Sequence, residues 1–229
     1  MNKIVQRVLY WFFPRRCVLC GDVVAIDDDL CDLCRNNPRI GSAPCDKCGK
    51  DKNRCDCKNA HNTPDYERIV APFYYEGNII KAVHRFKFSS RPELAKGMGD
   101  EMAKTVIREY GGIKFDYITY VPMSEKRQKR RGYNQSLELA RRISDKIGVP
   151  LLDVFYKAYE NPPQRNQSAR MRRANIFGAF DVYDGLNIEG KTFLIVDDVK
   201  TTGSTLSECA AVLDSYGAKK CFCVSFAIR

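Results

Sequence analysis

Two adjacent carboxylates, Asp197 and Asp198, follow four apolar residues, Phe193 to Val196. They precede a turn of small and hydroxylated residues, Thr201, Thr202, Gly203, Ser204 and Thr205. The apolar run reads as a buried strand, and Leu206 to Leu213 has helical periodicity. A strand, a turn and a helix start make an anion site, because the free N–H groups and the positive end of the helix dipole face the ligand. The hydroxyls add donors, and Gly203 lets the backbone approach closely. Two acids beside a phosphate cradle repel a bare phosphate. They make chemical sense if they hold sugar hydroxyls, directly or through Mg²⁺ and its waters. Lys200 reads either as a solvated turn lysine or as an extra phosphate contact.

The second set of chemically capable residues is sulfur. Of eleven cysteines, eight fall in four pairs, Cys17–Cys20, Cys31–Cys34, Cys45–Cys48 and Cys55–Cys57. Three are C-x-x-C and the last is C-x-C. Gly21 and Gly49 follow Cys20 and Cys48, as tight thiolate knuckles want. Eight thiolates satisfy two tetrahedral Zn²⁺ ions. The spacing favours Cys17, Cys20, Cys31 and Cys34 around one ion and Cys45, Cys48, Cys55 and Cys57 around the other, as two small ribbons. It also admits an interleaved arrangement of 17/20 with 45/48. A disulfide framework is disfavoured, since it needs an oxidising compartment and the start of the chain does not read as an export signal. Cys209, Cys221 and Cys223 fall in helix and strand patterns and read as buried small hydrophobes.

The elements that must position these groups alternate. Tyr66–Tyr75, Phe115–Val121, 193–196 and 221–227 read as strands. Ile79–Phe86, Glu93–Tyr110, Gln135–Ile147 and 205–215 read as helices, with Asn134 as an N-cap and Gly148 at a helix end. Alternation of this kind predicts an α/β fold with a parallel sheet covered on both faces. Ligands of such sheets bind beyond the carboxyl ends of the strands, which puts Pro122, Met123 and Ser124 on one rim with Asp197 to Thr205. The boundary between the cysteine-rich module and this domain is expected near Asn62–Thr63–Pro64, giving parts 1–62 and 63–229.

Charge divides the same way. The 229 residues carry a formal net +10, of which residues 1–62 contribute +3. Eight thiolates and two Zn²⁺ add a net −4 and bring that module to about −1, leaving +7 on residues 63–229. Two basic clusters exceed that surplus: Lys126, Arg127, Lys129, Arg130 and Arg131, and Arg165, Arg170, Arg172 and Arg173. The cysteine-rich module lacks the basic excess that nucleic-acid phosphates need and reads as a folded prop or protein-docking module. No apolar run is long enough to span a bilayer. Residues 4–12 have apolar positions on one helix face, read first as a helix packed on its own domain.

Residues 193–205 closely resemble the phosphoribosyl diphosphate (PRPP) signature of type I phosphoribosyltransferases. The resemblance implies that Asp197 and Asp198 hold the ribose 2′ and 3′ hydroxyls and that Thr201 to Thr205 cradle the 5′-phosphate. It implies that Pro122, Met123 and Ser124, with Arg127 and Arg131, receive the pyrophosphate, and that Mg²⁺ accompanies PRPP. A mobile loop carrying Gln164, Arg172, Arg173 and Asn175 would close over the ligand. Together with the cysteine pairs, Tyr75-Glu76-Gly77, Phe86-Lys87-Phe88, Val121-Pro122, Arg131 to Gln135, Gln164 and Arg172 to Asn175, the chain resembles the ComF family of competence proteins. That implies a double zinc ribbon before a type I phosphoribosyltransferase-like fold. It also implies a role in natural DNA uptake, in the cytoplasm at the inner face of the membrane, with a helicase-like partner. Arg165-Asn166-Gln167 departs from the smaller triplet usual in the loop.

Two functions follow. One is an accessory protein of DNA uptake that binds PRPP and, through its basic clusters, single-stranded DNA. The other is a salvage phosphoribosyltransferase with an unidentified acceptor. Only 24 residues follow Thr205, so an acceptor site must come from residues 63–92 or the zinc module. His84 reads as a partly buried structural histidine before it reads as an acceptor contact, and His61 as a linker residue.

Overall fold

The computed structural model describes residues 3–55, 57, 63–89, 91–157 and 180–229. Its sheet is built on the last strand of the chain. β1 (Arg68–Val70) and β2 (Phe73–Tyr74) both pair in parallel with β7 (Lys220–Ile228), which pairs in parallel with β6 (Thr192–Lys200), which pairs in parallel with β3 (Tyr117–Tyr120). The Tyr66–Tyr75 strand is therefore broken in two. Pro72 has no N–H to give a ladder, and its carbonyl accepts from Ile40 N of the cysteine-rich module at 3.2 Å.

Both faces are covered, as continuous apolar runs such as Phe193 to Val196 require. Leu194, Val196, Phe222, Val224 and Phe226 pack with α3 (Gly77–Phe88), α4 (Leu94–Tyr110) and α6 (Gln135–Ile147). Phe193, Ile195, Cys221 and Cys223 pack with α7 (Ser204–Ser215) on the other side. That side also carries a short antiparallel pair, β4 (Phe155–Lys157) with β5 (Phe180–Val182), which the sequence patterns did not signal. Cys209, Cys221 and Cys223 are buried, as expected. Asn134 caps α6, its Oδ1 accepting from Ser136 N and Leu137 N at 3.0 and 3.4 Å, and Gly148 ends it in the left-handed conformation.

One further helix appears, and the readings of His84 and residues 4–12 change. The run Glu125–Arg131 forms a helix, α5, started by Ser124, whose Oγ accepts from Arg127 N, and stopped by Gly132 at φ 82°. His84 is exposed and stacks on Phe88 at 4.7 Å between centroids. α1 (Lys3–Phe12) does not bury its apolar side: Trp11, Phe12 and Phe13 are 89, 74 and 77% exposed.

The cysteine-rich module, which carries the short helix α2 (Asp32–Arg35), is set into the α/β body. Val18, Leu19, Val24 and Leu30 belong to the same apolar cluster as α3 and α4. A Cβ at Gly97 of α4 would meet Val18 Cγ1 at 2.4 Å, so only glycine allows that approach. Ion pairs Arg39–Glu101 (2.7 Å) and Arg54–Glu76 (2.8 Å), and a hydrogen bond from Tyr74 Oη to Asp51 (2.7 Å), join the same two parts.

Candidate functional site: two sulfur tetrads and an acidic strand end

The structure selects the sequential arrangement of the cysteines. Cys17, Cys20, Cys31 and Cys34 form one group and Cys45, Cys48, Cys55 and Cys57 the other, with the sulfurs of each group within 4.8 Å of one another. A tetrahedron with Zn–S near 2.3 Å places its sulfurs roughly 3.8 Å apart. The contacts Cys20–Cys31 (3.5 Å), Cys48–Cys55 (3.6 Å) and Cys45–Cys57 (3.9 Å) match that spacing. The backbone explains why. Gly21 N donates to Cys17 O and Cys17 N to Asp22 O, and Gly49 N and Cys45 N repeat the pattern with Cys45 O and Lys50 O. Both knuckles need their glycine, at φ +84° and +75°. The donor set and geometry fit two structural Zn²⁺ sites.

The acid pair lies inside β6 rather than beyond it, because the ladder continues to Lys200↔Ile228. Asp197 Oδ1 accepts from Ser136 Oγ of α6 at 3.0 Å and from Asp198 N at 2.8 Å. Burial and the neighbouring Asp198 carboxylate push the Asp197 carboxyl up to about 7, against those two donors and the Lys87 ammonium. Asp198 is 7% exposed and pairs with Lys87 Nζ of α3 at 2.9 Å. Lys87 was not among the residues expected at the site. A basic residue between two phenylalanines is a weak signal, and nothing local ties it to an acid 111 positions away.

Next to the acids, Thr201, Thr202, Ser204 and Thr205 are exposed, and Gly203 sits at φ +90° as the N-cap of α7. Gly203 offers no capping side chain, and although Ser204 N donates to Thr202 Oγ1 at 3.3 Å, the next N–H groups and the positive dipole end of α7 face the turn. Thr202 Oγ1 and Ser204 Oγ lie 2.9 Å apart and pre-shape the turn. Lys200 is not a solvated turn lysine: it is 6% exposed, and its Cε and Nζ would lie 3.0 and 3.7 Å from a Cβ on Gly203, beside the turn.

The proposed pyrophosphate residues divide between two cavities. Arg131 lines one of about 290 Å³ with Lys87, Phe88 and Arg130. Pro122 and Met123 line another of about 470 Å³ with Tyr120, Tyr156 and Tyr183. Ser124 is buried at the start of α5, and Arg127 is exposed on that helix. Arg131 is held by Gln135 Oε1 at 2.9 Å and by the Phe88 ring at 5.1 Å, while its Nε is buried with no hydrogen-bond partner among the described residues. Burial lowers its guanidinium pKa, and the Asp198 charge opposes that shift. Gln164, Arg172, Arg173 and Asn175, with Arg165, Arg170 and His61, lie outside the described residues.

Comparison with known proteins fits both parts. The phosphoribosyl transferase domain family matches residues 134–228 and the double zinc ribbon domain family residues 8–63. DNA utilization protein YhgH of Escherichia coli (strain K12) is 30% identical over 206 residues, covering 88% of this chain and 85% of that protein. Competence protein F of Haemophilus influenzae is 30% identical over 219 residues, 91% of this chain and 95% of its own. Among solved structures, glutamine PRPP amidotransferase from B. subtilis is 18% identical with a TM-score of 0.44, over 73% of this chain. This chain spans 32% of that enzyme. With a double zinc ribbon, a phosphoribosyltransferase domain and near full-length relatives of these names, the chain belongs to the ComF family of competence proteins.

Proposed function

We propose that this chain serves DNA uptake and utilisation as a PRPP-binding protein of phosphoribosyltransferase architecture that also contacts single-stranded DNA. One observation carries the PRPP reading: an acid pair within β6, Asp198 buried and Asp197 half-buried, stands beside a helix start without a side-chain cap, edged with exposed hydroxyls. Asp197 and Asp198 would accept hydrogen bonds from the ribose 2′ and 3′ hydroxyls. Thr201 to Thr205 would surround the 5′-phosphate. The carboxylate oxygens suit Mg²⁺, which when bound would neutralise the diphosphate of PRPP. The names of the relatives support the DNA role. The exposed Lys126, Arg127, Lys129 and Arg130 of α5 supply cations beside the same rim.

The division into a zinc module, 1–62, and a transferase-like domain, 63–229, assigns the module a structural part. Its contacts with α3, α4 and the end of β7 support that assignment. A helicase-like partner and a place at the inner face of the cytoplasmic membrane rest on the family resemblance. No helix among the described residues is long and apolar enough to cross a membrane.

Calorimetry with PRPP and Mg²⁺ tests the site. The wild type should bind, and Asp198→Asn should lose about 10- to 100-fold, the effect of removing a charge-assisted acceptor. Equal affinity in wild type and variant would reject the assignment. Release of pyrophosphate from PRPP in the presence of bases, nucleotides or single-stranded DNA would move the chain to the enzymatic alternative.

A further inference from the structure

Lys87 stands at a junction the PRPP reading leaves without a role. Its ammonium pairs with Asp198, whose side chain is only 11% exposed, while the Lys87 side chain is 23% exposed. The same residue lines the 290 Å³ cavity with Arg130, Arg131 and Phe88. Lys87 therefore borders an acid on one side and a cation-lined hollow on the other. The end of α3 that carries it is fixed: the Tyr133 hydroxyl donates to the Phe86 carbonyl, and the Phe86 and Tyr133 rings lie 5.5 Å apart. Only the side chain need move.

Electrostatics supplies the reason for motion. Two adjacent carboxylates in a shielded place repel, and the ammonium on Asp198 relieves that repulsion. A ligand whose hydroxyls donate to Asp198 competes for the same oxygens. The displaced ammonium then needs an anion. The cavity it borders holds two guanidinium groups, one of which has a buried Nε without a partner among the described residues. Three cations around one hollow repel each other until a polyanion occupies it. A lysine adapts to this exchange, because its charge sits on a flexible stem.

We propose that Lys87 is an exchangeable ligand of the site. It neutralises Asp198 while the site is empty and turns into the cavity with Arg130 and Arg131 to bind a diphosphate when sugar hydroxyls take Asp198. This deepens the PRPP reading and rests on it for the ribose half. The diphosphate half stands on the cavity alone.

The test uses full-length, zinc-loaded protein and calorimetry with three probes: PRPP, inorganic pyrophosphate and ribose 5-phosphate. Lys87→Met should weaken PRPP and pyrophosphate at least tenfold and leave ribose 5-phosphate as tight or tighter, since nothing then competes for Asp198. Lys87→Arg should restore most of the pyrophosphate affinity. Arg130→Ala, which lines the cavity without touching Asp198, should weaken pyrophosphate while sparing ribose 5-phosphate. That second variant keeps the test open if Lys87→Met fails to fold. Undiminished pyrophosphate affinity in both variants overturns the role of Lys87 even if PRPP binds through the acids. Equal weakening of pyrophosphate and ribose 5-phosphate in Lys87→Met also overturns it, because that is the signature of a prop for Asp198. A wild type that binds pyrophosphate through Lys87 yet ignores ribose 5-phosphate supports the cavity and removes the ribose assignment.

Discussion

The sulfur tetrads at residues 17–34 and 45–57 and the acid pair at 197–198 both gather groups of one sign, and their counter-charges come from different sources. In the tetrads the partners lie within 18 and 13 residues of chain, and glycine knuckles set the geometry. A metal ion from solution would supply the positive charge. Within β6 the partners of the acids come from α3 and α6, through Lys87 and Ser136, and the proposal makes Lys87 one that a ligand displaces. A local site of this kind holds the fold, whereas a long-range one can exchange partners. The zinc module's packing on α3 links the two, since the helix it supports carries Lys87.

The largest expected effect falls on the tetrads. Cys48→Ser should lower the zinc content from about two ions per chain to about one. It should also remove cooperative thermal unfolding, because a structural tetrad contributes on the order of 10 kcal/mol. Metal analysis with scanning calorimetry reads both. A protein that keeps two ions and its transition would erase the contrast between a structural and an exchangeable site.

The acid pair should respond to pH instead. The Asp197 carboxyl stands at about 7 in the fold against an ordinary 3.8. Its ionisation therefore costs the folded state more than the unfolded one. Stability from this group is fully present below about pH 4 and is lost as pH rises towards about 7, on the order of 2–4 kcal/mol. Asp197→Asn should flatten that part of the stability curve. Chemical denaturation from pH 4 to 8 checks it, and parallel curves for the two proteins would place the charge elsewhere.

Gly49→Ala probes the seam between the parts. The new Cβ would stand 2.4 Å from Ile228 Cδ1 at φ +75°. The expected loss is about 1–3 kcal/mol from overpacking and backbone strain, with both zinc ions retained. Urea denaturation measures it. A neutral result would mean that the module rests on the body less firmly than its contacts indicate.

The smallest effect belongs to α5. Replacing Lys126 and Lys129 with Gln removes two exposed cations without touching either cavity. If single-stranded DNA tracks this helix, the salt dependence of binding should flatten by about 1.4 in log–log slope, roughly 0.7 per lost phosphate contact. Fluorescence anisotropy across a salt series reads this, and an unchanged slope would move the DNA surface off α5.

Much of this molecule was legible from short stretches of chain. The tetrads, the hydroxyl-rich turn 201–205, the cap of α6 and the strands β3, β6 and β7 each depend on residues a few positions apart. Period, spacing and glycine placement report such features directly. The sequence by itself therefore determined that eight cysteines would gather in two tetrads fit for metal and that a parallel sheet would carry an acid pair beside a hydroxyl-rich turn. Tertiary structure alone decided the rest. It seated the zinc module on α3 and α4, broke the first strand at Pro72, and ran β6 past the acids by pairing Lys200 with Ile228. It also split the proposed pyrophosphate residues between two cavities and brought Lys87 onto Asp198. The physical reason is common to all of these. Each depends on which surfaces meet when distant segments pack, and a charge meets its partner through the fold, with no periodicity along the chain to announce it.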